Sequence, residues 1–139
     1  MYGLIIKKKW MDLIMSGQKT LEIRGNRTSH VGEEIALLES GSHKIRGFCT
    51  IEEVTALDKE KWEADKNLHC VDVPWENLTK RYKTPYAWRL SSITPKEELS
   101  YEHPKSAVIW VNLDHVPAFK EVNLNEYAEK CGVQHIAKT

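Results

Sequence analysis

The 139-residue chain has no long apolar run. Nothing in it approaches the roughly 20 consecutive apolar residues of a membrane helix, so no membrane partner is expected. Cysteine is scarce as well. Cys49, Cys70 and Cys131 are odd in number and far apart, with no CxxC or Cys–His spacing among them. That excludes a disulfide scaffold and a structural zinc and leaves three ordinary reduced thiols. Net charge is also missing, because 20 Lys and Arg balance 20 Asp and Glu. Such a chain does not draw nucleic acid by bulk charge. HExxH, Walker and GxSxG patterns are absent, so no metal or cofactor is expected.

What is present is an ordinary composition, 41% hydrophobic and 29% charged, in a length that suits one domain with a real core. "MYGLIIKKKW" places its apolar run before its basic run, the reverse of a secretory signal, which predicts a cytoplasmic protein. The charge is unevenly spread. Residues 1–50 hold eight Lys and Arg against five Asp and Glu. A locally basic half can still meet a few phosphates.

"GLII" (3–6) predicts a first strand. Trp10, Leu13 and Ile14 then recur at helical spacing, and Gly17 sits where a helix end needs positive φ. "KTLEIR" predicts a strand with Leu21 and Ile23 facing a core and Glu22 and Arg24 on the other face. Lys19 sits at the corner, where parity is not yet set. "GNRTSHVG" (25–32) reads as loop. "EEIALLES", "GSHK" and "IRGFCTIEEVTAL" form a hairpin, with Gly47 marking a bulge or a close backbone approach. Residues 58–68 and 74–83 read as helical. "YAWRLSSI" (86–93) is a strand from which "TPKEEL" turns away. "SAVIWVNL" (106–113) is the strongest β run. "LNEYAEKCG" (124–132) predicts a last short helix. The order argues for a mixed or mostly antiparallel sheet. The expected class is α+β, a small curled sheet or barrel with two to four short helices around it.

The chemistry concentrates in "SGQKTLEIRGNR" (16–27). Glu22 and Arg24 share a strand face, and Lys19 can complete a triad. One carboxylate cannot use all five N–H groups of an arginine, so donors remain for a phosphate or a base edge. The alternative is a solvated strand face with a weak surface ion pair. Trp10 leads into Lys19, and Tyr86 and Trp88 share a face of their strand. These rings either stack on a base or fill the barrel. Trp110 is expected in the core and His30 on a surface loop.

Gly17-x-Lys19-x-x-Glu22-x-Arg24 resembles the G-x-K-x-x-E-x-R signature of ASCH domains, a family of the PUA-like superfamily. The resemblance extends over about residues 3–113, through an aromatic helix before the signature, "VGEEIALLES" after it, the later "AW" strand and a closing strand with Trp. It implies a PUA-like mixed β-barrel over 1–113, with 114–139 packed on it or trailing from it. It also implies a cleft floored by Lys19, Glu22 and Arg24 that binds RNA or a nucleotide-like small molecule; by their positions, Trp10, Tyr86 and Trp88 are further ligand-binding candidates. One branch of ASCH-like proteins, the N4-acetylcytidine amidohydrolases, uses a Lys, a Thr nucleophile and a Glu. Here Lys19 is kept, but Glu22 stands at the nucleophile position and Thr20 is one residue out of register. A small hydrolase acting on a modified nucleoside or on RNA, with Lys19 and Glu22 as candidate acid and base, is therefore the alternative. Oligomeric state is left open.

Overall fold

The computed structural model describes residues 1–101, 103, 104, 107 and 109–115. Among these residues six strands form one sheet: β1 (Tyr2–Ile6), β2 (Leu21–Arg24), β3 (Glu34–Glu39), β4 (Lys44–Ala56), β5 (Tyr86–Ser100) and β6 (Trp110–Asn112). Their order is β2-β5-β4-β3-β1-β6, and the sheet curls into a half-barrel. Only β1 and β3 among the paired strands run parallel. Among the described residues there are four helices, α1 (Lys8–Met15), α2 (Lys59–Ala64), α3 (Lys66–His69) and α4 (Trp75–Arg81). No helix among the described residues is long and apolar enough to cross a membrane.

Local chemistry explains the boundaries. The Gly17 N–H reaches Ile14 O, and the Gln18 N–H reaches Leu13 O, closing α1 in a Schellman motif with Gly17 at φ 86°. Asp58 caps α2 by accepting the Lys61 N–H at 2.8 Å. Cys70 ends α3 at φ 61°.

Alternation along the strands sorts the apolar residues into three clusters. The main core lies between α1 and the curled sheet, with Leu4, Ile6, Met11, Ile14, Leu37, Ile51, Trp88 and Leu90. A second packs Ala36, Leu38, Ile45, Phe48, Tyr101 and Val111 on the opposite face. The third joins Leu21, Ile23 and Ala87 to Trp62 and Leu78 of the helical segment. Leu21 and Ile23 thus face a core, but it is the one that α2–α4 build, and Glu22 and Arg24 turn toward the main core.

Two strand expectations are corrected. β5 does not end at 93 but runs on to Ser100. Pro95 lacks an N–H and would interrupt a regular ladder. It pairs with Gly47 where the β4–β5 register shifts, so the missing donor falls at an existing irregularity. The closing strand is only Trp110–Asn112, because Leu113–His115 winds into a 3-10 turn. That turn is tied to the chain start, with the Met1 ammonium 2.7 Å from Asp114 Oδ1. The helix expected at 124–132 and most of the segment 114–139 lie outside the described residues.

Candidate functional site

The Schellman turn delivers Lys19 into the protein. Its side chain is 1% exposed. The ammonium donates to Leu21 O at 2.8 Å and to His69 O at 2.6 Å. It lies 3.8 Å from Glu22 Oε1 and 4.9 Å from the centre of the Trp10 ring. Burial pulls the Lys19 pKa below that of an ordinary lysine, against the pull of the Glu22 carboxylate beside it. Lys19 therefore clamps the end of α3 to the start of β2, a contact between residues 50 apart in the chain.

Glu22 bridges the two cations. Its Oε2 accepts from Arg24 Nε at 2.8 Å and lies 2.8 Å from Nη2. Arg24 Nη2 also donates to Ile5 O at 2.9 Å. β2 is one edge of the sheet and β1 lies next to the other edge, so Arg24 fastens the curled sheet across its open side. Its side chain is 18% exposed. Nε and Nη2 are engaged, while Nη1 has no partner among the described residues. The guanidinium is thus held through two of its nitrogens and stays partly exposed above a buried base.

The aromatic residues split. Trp88, opposite Glu22 in the β2–β5 pairing, is buried, and its indole N–H donates to Asn26 O at 3.0 Å. Arg24 lies over its ring at 5.8 Å. Trp88 thus packs in the core and backs the guanidinium. Trp10 and Tyr86 are half-buried, with Lys9 4.7 Å from the first ring and Arg27 4.9 Å from the second. Trp110 is also half-buried and stacks on Trp88 at 6.0 Å. His30 is not a bare loop residue. It packs at 4.4 Å on Tyr2 and 4.5 Å on Trp110, and its Nδ1 lies 2.9 Å from Glu33 Oε1. Alternation around Trp110 hinted at packing, but nothing in the loop spacing pointed to His30.

His69, whose carbonyl holds Lys19, is itself buried. Its Nε2 donates to Trp62 O at 2.8 Å, and Nδ1 accepts the Val71 N–H at 3.0 Å. Both ring nitrogens are thereby used by the neutral tautomer, and burial pulls the pKa down. A cavity of about 500 Å³ opens elsewhere, between α1 and strands β3, β4 and β5, and none of the motif residues lines it. Among the described residues no group of His, Cys, Asp and Glu is arranged to hold a metal.

The ASCH domain family model matches residues 4–132. The chain belongs to the ASCH domain family. The crystal structure of ASCH from Zymomonas mobilis superposes with a TM-score of 0.64 at 16% identity, covering 88% of this chain and 94% of that one. Two variants of the same Zymomonas protein, one serine-to-alanine and one tyrosine-to-phenylalanine, superpose with TM-scores of 0.65 and 0.64, again at 16% identity. The serine variant aligns over 88% of this chain and 94% of its own, the tyrosine variant over 88% and 96%. At that identity the likeness concerns the fold, a PUA-like α+β domain. No curated protein matches this chain significantly.

Proposed function

We propose that this ASCH domain binds single-stranded RNA, or a nucleotide-sized piece of it, in the cytoplasm, at the mouth formed by Arg24, Trp10 and Tyr86. The observation that carries the reading is the state of Arg24. Its guanidinium is oriented by Glu22 and Ile5 O, and its Nη1 still has donors to give. Such a fixed donor set suits a phosphate oxygen or a base edge. Lys19 and Glu22 orient Arg24 from within, Trp88 supports its inner face, and the half-buried rings of Trp10 and Tyr86 supply stacking surface.

The test is fluorescence anisotropy of labelled single-stranded RNA oligomers and competition by free nucleotides. Arg24→Ala is expected to weaken binding by about 1–3 kcal/mol. The salt dependence should be shallow, because a neutral chain meets few phosphates. Equal affinity in wild type and Arg24→Ala removes Arg24 from the site. Incubation with N4-acetylcytidine accompanies the titration. Acetate release that disappears in Glu22→Gln would replace the binding module with a hydrolase.

A further inference from the structure

The loop between β2 and β3 is fixed on aromatic side chains along its length. A Cβ on Gly25 would meet Tyr82 Cδ1 at 2.5 Å, so the chain leaves β2 flush against that ring. Asn26 O accepts the Trp88 indole N–H at 3.0 Å. The Arg27 guanidinium lies 4.9 Å from the centre of the Tyr86 ring. Thr28 Oγ1 accepts the His30 N–H at 3.1 Å, and the His30 ring packs on Tyr2 of β1 and Trp110 of β6. The Gly32 N–H then reaches Ile51 O at 2.7 Å. The loop thus crosses from the β2 edge toward β1 and β6 as a fixed strap, and Arg27 is carried on it.

Arg27 is exposed but positioned. Tyr86 stands directly opposite Arg24 in the β2–β5 pairing, which puts their Cβ atoms about 4.5–5.5 Å apart. The guanidinium of Arg27 therefore lies on the ring beside Arg24. A ring attracts the charge of a guanidinium but offers its N–H groups no lone pair of an oxygen. Among the described residues Arg27 has no hydrogen bond and no ion pair. Arg24 likewise keeps Nη1 without a partner among them. Glu22 is shared between Lys19 and Arg24, so that triad carries one excess positive charge. Arg27 raises the excess to two, and Lys9, over the Trp10 ring, adds to the field. Glu33, the next carboxylate along the strap, is engaged by His30 at 2.9 Å.

We propose that Arg27 and Arg24 together take one terminal phosphate monoester, so that the site reads the phosphorylated end of an RNA or a free nucleotide rather than the interior of a strand. The proposal rests on the nucleotide-binding reading of this mouth and names the anion it prefers. A monoester carries about two negative charges at pH 7 and three unesterified oxygens. It can accept from two guanidinium groups at once and balance the excess charge. An internal diester has a single charge and two such oxygens, and satisfies the pair less well.

The test is fluorescence anisotropy of the full chain with internally labelled RNA oligomers of one sequence, ending in a 5′-phosphate, a 3′-phosphate or hydroxyls at both ends. One phosphorylated end should bind about tenfold tighter than the hydroxyl-ended oligomer. Arg27→Gln should remove most of that preference and leave the hydroxyl-ended oligomer within about twofold of wild type. Arg27→Lys keeps the charge without the fork and should retain only part of the preference. Lys59→Gln removes the same charge from α2, which packs on the other face of β2, and should leave the preference intact. A preference for the 5′ or the 3′ end supports the site and names the end. A nucleoside monophosphate that competes as well as the phosphorylated oligomer identifies a free nucleotide as the source, and a weaker one an RNA end. Equal binding of all three oligomers overturns the proposal and leaves RNA binding standing. A preference that Arg27→Gln keeps, or that Lys59→Gln also removes, overturns it too. No binding of any oligomer or monophosphate overturns both readings.

Discussion

Two charged networks flank α1, and they differ in how much water they see. In one, Lys19, Glu22 and Arg24 have side chains 1%, 7% and 18% exposed. Backbone carbonyls of Leu21, His69 and Ile5 complete their partners. In the other, Lys8 and Asp12 are well exposed, Arg46 is about a quarter exposed and only Glu39 is buried. There the cations and carboxylates meet one another and solvent. A buried charge left without a full set of partners is costly, so the first network is organised as a fastener across distant segments. A half-exposed cluster bears no such cost and keeps donors in reserve. The residue types are nearly the same in both; burial alone separates their roles.

The largest expected effect comes from breaking the fastener. Lys19→Met leaves Glu22 with one cation and two carbonyls without their donor, and should cost about 3–5 kcal/mol in denaturant unfolding. A loss under about 1 kcal/mol would erase the contrast. Glu22→Gln keeps the shape but weakens two charge-assisted contacts. About 1–3 kcal/mol is expected from the same measurement.

His69 gives a smaller, pH-dependent effect. Its native pKa is lowered, so on acidification the unfolded chain takes up the proton first. The stabilisation is complete above the ordinary histidine pKa of about 6.5 and is lost as pH falls below it toward the lowered native value. His69 stacks on the Trp62 ring at 3.8 Å, and thermal melts between about pH 8 and pH 5 should show this slope, which His69→Phe should flatten while keeping an aromatic ring on Trp62. An unchanged slope in that variant would assign the effect to another group. Lys8→Gln should be the mildest. Its side chain is 68% exposed, and no measurable change in the denaturation midpoint is expected. A clear loss would mean that the open network also holds the fold.

Much of the architecture was legible because it is written in local periodicity. Gly17 marked the end of α1, the 34–56 hairpin followed from alternation, and Gly47 announced the bulge. Strand parity separated Leu21 and Ile23 from Glu22 and Arg24. It did not say which core each pair would meet, since two lie on opposite faces of the sheet. The turn expected at TPKEEL (94–99) is strand instead, because a proline stops a strand only where its N–H is required, and pairing decides that.

The sequence by itself determined the helix–glycine–strand corner, the mixed sheet and the placement of three charges within one short stretch. Their spacing along the backbone is local, and so is the side of the strand each occupies. The tertiary structure alone decided that Lys19 would be sealed, that Arg24 would keep one nitrogen without a partner among the described residues and that Arg46 would meet Asp12 and Glu39. The physical reason is that the acceptors holding Lys19 and Arg24 are mostly backbone carbonyls. Every residue carries one, so no residue type marks which carbonyl a distant side chain will find.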